Sequence, residues 1–127
     1  MSVATDPGPR VVIADDQTLV RGGFRLILGA AGIPVVAEAA DGREAVAAAL
    51  KHRPDVVLMD YRMPGLNGAE ATRAVLEASP GTNVVCLSAS VTRQEIEEVL
   101  AAGAVACVTK DQDFDKLVAT IRAAAGR

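Results

Sequence analysis

The chain has 127 residues, half of them hydrophobic and 23% charged, which suits one globular domain with one core and excludes a disordered chain. A formal net charge of -3 argues against nucleic-acid or anionic-membrane binding by bulk electrostatics, and no apolar run approaches the roughly 20 residues that span a bilayer. Two cysteines, Cys86 and Cys107, are too few for a secreted disulfide scaffold, and aromatics at 2% leave the core to Val, Leu, Ile and Ala.

Residues 1–9 include Asp6, Pro7, Gly8 and Pro9 without an apolar stretch, so they read as a disordered lead-in and not as a signal peptide. Val11-Val12-Ile13-Ala14 reads as a strand that ends in Asp15-Asp16. A helix is expected over residues 18–31, because Val20, Phe24, Ile27 and Leu28 share one face of a period of about 3.6 residues. Gly22-Gly23 lower its intrinsic helicity and are read as letting it lie close to a neighbour. Gly32 stands where a C-terminal cap belongs. Residues 34–39 form the second strand and Asp41-Gly42 a turn. Ala45, Val46, Ala49 and Leu50 make the inner stripe of the second helix. Lys51, His52 and Arg53 suit the negative end of its dipole, and Pro54 stops it. His52, the single histidine, reads as a solvated, dipole-compensating residue and not as a catalyst.

Val56-Val57-Leu58-Met59 is an apolar run with β-branched members, the mark of a strand buried on both faces. It delivers Asp60 to the edge of the core, and Pro64-Gly65 punctuates the loop beyond. The third helix is expected over residues 68–79, with Ala71, Val75 and Ala78 inward. Residues 83–87 form the fourth strand and run into Ser88-Ala89-Ser90. Thr92 and Glu95 fit a capping box for a fourth helix with Ile96, Val99 and Leu100 inward, closed by Gly103. Residues 104–108 form the fifth strand, ending at Thr109-Lys110. Phe114, Leu117, Val118 and Ile121 make the stripe of the fifth helix. Strict alternation implies an α/β fold: a five-stranded, doubly wound parallel sheet flanked by five helices, flavodoxin-like (βα)5.

All strand carboxyl ends then lie along one edge, which collects Asp15, Asp16, Asp60, Ser88 and Lys110. Three carboxylates that close repel, and one takes up a proton unless a cation joins them. Mg²⁺ suits carboxylates, waters and a phosphate-like ligand. Lys110 can hold one oxygen of a bound anion as a point charge, and the Ser88 hydroxyl and Ala89 N–H can hold others. An acid able to act as nucleophile beside a metal, a lysine and a hydroxyl describes phosphoryl transfer. Other motifs fail. There is no GxxxxGK or GxGxxG phosphate loop, no CxxC or His-rich zinc spacing, and Ser88 lacks the flanking glycines of a hydrolase elbow. A haloacid-type phosphatase wants a second acid that Asp16-Gln17-Thr18 does not supply.

Val11-Val12-Ile13-Ala14-Asp15-Asp16-Gln17, Leu58-Met59-Asp60-Tyr61-Arg62-Met63-Pro64-Gly65, Leu87-Ser88-Ala89 and Val108-Thr109-Lys110-Asp111 together resemble the receiver (CheY-like) domain of bacterial two-component response regulators, over residues 10–125. Leu19-Val20-Arg21-Gly22-Gly23-Phe24 and Lys110-Asp111 resemble the NarL/FixJ branch, whose output is a LuxR-type helix-turn-helix. The resemblance implies that Asp60 is the phosphoacceptor and that Ser88 and Lys110 bind phosphoryl oxygens. It implies Asp16, Asp60 and the Arg62 backbone carbonyl as Mg²⁺ ligands, with Asp15 acting largely through water. It further implies a sensor histidine kinase as donor, slow self-hydrolysis of the acyl phosphate and no enzymatic activity beyond these steps. The protein implied is a cytoplasmic transcription regulator that switches partner or homodimer interactions on phosphorylation, with no membrane partner. DNA would be met only through a C-terminal helix-turn-helix domain that this chain lacks, so the chain is expected to be either a stand-alone receiver or, in preference, a longer regulator cut at its linker.

Two positions depart from that pattern. Many receivers carry an aromatic on the fifth strand that rotates inward with the hydroxyl. Here the expected switch pair is Ser88 and Cys107, and a small thiol cannot report by the same swing. Asp111 stands where many receivers have a cis proline, so a cis bond after Lys110 is not expected. Cys86 and Cys107 fall on neighbouring strands and read as packing thiols in preference to a redox pair. The competing functional reading is a phosphorylation-independent interaction module with a metal-binding acidic pocket.

Overall fold

The computed structural model describes residues 8–89, 92–110 and 113–126. Most of the expected lead-in, Ser90 and the bond from Lys110 to Asp111 lie outside the described residues. The elements are β1 (Val11–Ala14), α1 (Thr18–Ala30), β2 (Val35–Ala39), α2 (Gly42–His52), β3 (Val56–Asp60), α3 (Gly68–Ala78), β4 (Asn83–Ser88), α4 (Arg93–Ala101), β5 (Ala106–Thr109) and α5 (Phe114–Ala125). The five strands are parallel and ordered β2-β1-β3-β4-β5, the expected doubly wound sheet.

Period-two alternation along the strands divides the core into two layers. Val12, Ala14, Val57, Met59, Val84 and Cys86 face Ala45 and Ala49 of α2, Ala71 and Val75 of α3, and Val99 of α4. Val11, Ile13, Val56, Leu58, Val85 and Leu87 face Phe24 and Leu28 of α1 and Leu117 and Ile121 of α5. Both faces of β1 and β3 are therefore buried, which is why their sequences are continuous apolar runs.

Side chains finish the helix starts. Asp41 accepts from the Glu44 amide, and Asn67–Glu70 and Thr92–Glu95 are reciprocal capping boxes. After α1 the chain passes Gly32 at φ +80, and Ile33 N–H donates to the Leu28 carbonyl at 2.8 Å, as a glycine-terminated helix end requires. His52 ends α2 at the amino edge of the sheet, where its carbonyl accepts from Arg10 at 2.8 Å, away from the acidic edge as expected.

Several expectations are corrected. β5 begins at Ala106, not 104; Ala104 and Val105 still complete the turn from α4, with the Val105 amide donating to Val84. Leu50, Leu100 and Phe114 are 54%, 44% and 45% exposed and do not face the core. Leu50 and Leu100 directly follow the fully buried Ala49 and Val99 and stand about 100° further round their helices, on the flank of the buried stripe, and Phe114 is the first residue of α5. Gly22 and Gly23 admit no close neighbour, since a Cβ at either would meet nothing within 4 Å. Among the described residues, no helix is long and apolar enough to cross a membrane.

Candidate functional site: an acidic cleft with one lysine

Register assembles the site. Ala14 pairs with Met59, so the next residues, Asp15 and Asp60, leave the sheet side by side. Asp60 pairs with Leu87 and Ser88 with Thr109, which brings Ser88 and Lys110 to the same edge. The Lys110 amide also donates to the Ser88 carbonyl at 2.8 Å. Asp16, Gln17, Asp60, Arg62, Ser88, Ala89 and Lys110 line a cleft of about 290 Å³. Every residue expected at the site from the sequence therefore lies at this edge except Cys107, which sits on the α4 side of β5. Asp15 lies at the edge but is buried beside the lysine.

Asp15, Asp60 and Ser88 are buried, whereas Asp16 is exposed. Asp15, Asp16 and Asp60 each offer an oxygen within 4.8 Å of the others. Lys110 Nζ lies 2.5 Å from Asp15 Oδ2 and 3.4 Å from Asp60 Oδ2. Asp15 Oδ1 accepts from the Gln17 amide at 2.9 Å, and Asp60 Oδ1 from the Arg62 amide at 3.4 Å. Burial raises the Asp60 carboxyl above its ordinary value; Lys110 pulls it down, and the Asp15 charge pushes it up again. Burial alone lowers the Lys110 ammonium, but its hydrogen bond to Asp15 and the two carboxylate charges outweigh that, so it stays charged beyond its usual range.

One lysine against three carboxylates leaves two negative charges when all ionise. An all-oxygen donor set of that charge, partly open to the cleft, fits a hard divalent cation such as Mg²⁺.

Sequence reasoning missed a polar bridge from this edge to α4. Tyr61 Oη donates to Glu98 Oε2 at 3.2 Å, and Arg62 Nη2 donates to Glu95 Oε1 at 2.9 Å. The Arg62 guanidinium also lies 5.6 Å from the Tyr61 ring centroid. Its signal is faint: Glu95 and Glu98 are three apart, hence on one helix face.

The response regulator receiver domain family matches residues 11–122, and the chain belongs to that family. Within it, the similarities point to LuxR-type transcriptional regulators of two-component systems. The transcriptional regulatory protein YxjL of Bacillus subtilis is 43% identical over 117 residues, which is 91% of this chain and 54% of that protein. The signal receiver domain of the response regulator NarL from Mycobacterium tuberculosis is 37% identical with a TM-score of 0.86, covering 94% of this chain and 98% of that one. A LuxR-family two-component response regulator from Aurantimonas is 35% identical with a TM-score of 0.88, over 94% and 87% of the two chains. The chain spans about half the length of most of the curated relatives it matches. These likenesses do not favour the phosphorylation-independent reading.

Proposed function

We propose that Asp60 accepts a phosphoryl group from the phosphohistidine of a sensor histidine kinase. The observation that carries this is the gathering of Asp15, Asp16 and Asp60 within 4.8 Å, with Lys110 Nζ 3.4 Å from Asp60. An Asp60 carboxylate oxygen attacks phosphorus, the phosphorus–nitrogen bond breaks, and its electron pair leaves with the imidazole. Lys110 turns from the carboxylates to a phosphoryl oxygen, and the Ser88 hydroxyl and Ala89 N–H receive the others. Asp16, Asp60 and the Arg62 carbonyl would hold Mg²⁺ directly and Asp15 through water; when bound, the ion neutralises charge on the transferring group. Water later attacks the acyl phosphate and restores Asp60, so the domain catalyses only its own phosphorylation and dephosphorylation.

Ser88 moves with the phosphoryl group and β5 answers at Cys107, changing the face formed by α4, β5 and α5. On this reading residues 10–125 are the regulatory unit of a cytoplasmic protein that dimerises when phosphorylated and acts on DNA through a LuxR-type domain. The half-length likeness to transcriptional regulators supports that.

Intact-mass measurement after incubation with Mg²⁺ and a small acyl phosphate tests the first step. Wild type should gain one phosphoryl group, and Asp60→Asn none. Unmodified wild type under those conditions, or equal labelling of Asp60→Asn, contradicts the assignment.

A further inference from the structure

The phosphoryl cleft does not account for the paired cysteines. β4 and β5 place Cys86 opposite Cys107 in register. Both side chains enter the core layer under α2, α3 and α4, so both project from the same face of the sheet. Neighbouring strands lie about 4.8 Å apart, inside the roughly 4.4–6.8 Å Cα separation that a disulfide bridges. Both thiols are free.

Their environments differ in a directed way. Cys86 is 1% exposed, and Cys107 is half-buried at the sheet's edge strand. A hydrogen bond from Cys86 stabilises the Cys107 thiolate and holds that thiol below its ordinary value. The same hydrogen bond, with burial, pushes Cys86 far up. Cys107 is therefore the more accessible sulfur and Cys86 the shielded one beside it, the arrangement of an attacking and a resolving thiol. Packing explains burial, but it does not call for two sulfurs in register with unequal access.

We propose that Cys86 and Cys107 form a reversible thiol-oxidation site whose oxidant is a hydroperoxide. The Cys107 thiolate attacks the terminal peroxide oxygen, and the O–O bond breaks. The departing alkoxide or hydroxide takes a proton, leaving Cys107 as the sulfenic acid. Cys86 then attacks the Cys107 sulfur, the S–O bond breaks, and the Cys86 proton leaves with the hydroxide as water. Two electrons pass from the thiol pair to the peroxide, and an added dithiol returns them. The bond ties β4 to β5 just before Ser88 and Lys110.

The test treats reduced, native protein with hydrogen peroxide, quenches and unfolds it in denaturant, alkylates the remaining thiols, and reads intact mass and a non-reducing tryptic map. Cleavage after Arg73, Arg93 and Lys110 puts the two cysteines in separate peptides, residues 74–93 and 94–110. Wild type should lose two hydrogens, resist alkylation and yield the linked peptides, all reversed by dithiothreitol. Cys86→Ala should stop at a sulfenic acid that dimedone traps, and Cys107→Ser should leave Cys86 reduced. The proposal is overturned by wild-type thiols that stay alkylatable where free cysteine is consumed. A disulfide between two chains, or oxidation of Cys107 beyond the sulfenic acid without a link, also overturns it. Circular dichroism checks that each variant is folded; where one is not, the wild-type peptide map decides.

Discussion

At Asp60, burial raises the carboxyl above its ordinary 3.8, with Lys110 opposing. The folded chain thus keeps that proton to higher pH than the unfolded chain, and ionisation costs stability. In metal-free buffer the contribution is favourable below the ordinary value and is lost as pH rises through the raised one. Asp60→Asn does not titrate, so its urea midpoint should exceed that of wild type at neutral pH, with the gap narrowing as pH falls toward 3.8. A gap that is flat or widens on acidification contradicts the environment described for Asp60. Two glycines show how local space sets the sign of a substitution. A Cβ on Gly68 would come 2.8 Å from Tyr61 Cα, a backbone atom next to Asp60. Gly68→Ala should therefore cost about 1–3 kcal/mol. At Gly23, in the exposed interior of α1, a Cβ meets nothing within 4 Å. Gly23→Ala should stabilise by about 0.5–1 kcal/mol, read from the same denaturation curves.

Helix α4 is held at its start by one residue with two tasks. Glu95 Oε1 accepts from the Thr92 amide at 2.9 Å and from Arg62 Nη2 at 2.9 Å. The Arg62 side chain is more than half exposed, so that ion pair contributes little, roughly 0–1 kcal/mol. The cap contributes about 1 kcal/mol. Glu95→Ala should therefore destabilise more than Arg62→Ala; equal losses would place the stability in the ion pair and not in the cap. The cap was legible in the spacing of Thr92 and Glu95, because a capping box is local. The Arg62–Glu95 and Tyr61–Glu98 contacts were not, because they span 33 and 37 residues of sequence. The same limit explains Leu50, Leu100 and Phe114. Periodicity finds an apolar face but does not say how far round the helix burial extends. Phe114 instead meets Phe24 edge-on, ring centroids 6.2 Å apart.

For the molecule as a whole, β1 and β3 are legible almost to the residue, since Val11–Ala14 and Val56–Asp60 are buried on both faces and carry no polar alternation to mislead. The site followed from the same regularity, because parallel strands deliver their carboxyl ends to one edge. What the chain order did not reveal was register, and register is what sets Cys86 beside Cys107 and Asp15 beside Asp60. Leu58, 1% exposed at the centre of the sheet, should cost about 2–5 kcal/mol when cut to Ala, in a single cooperative transition. Mg²⁺ binding to the folded state alone should stabilise it by about 1.4 kcal/mol at ten times its dissociation constant. Asp16→Asn should weaken that gain in a thermal melt; an unchanged gain would remove Asp16 from the cation's ligands. The main-chain bond from the Lys110 amide to the Ser88 carbonyl, 2.8 Å long, also makes that amide proton a witness for nuclear magnetic resonance. If phosphorylation draws Ser88 and Lys110 inward as a unit, the proton stays slow to exchange with deuterium. If Ser88 moves alone, the bond opens and exchange quickens, so one resonance distinguishes a rigid shift of the strand ends from their parting.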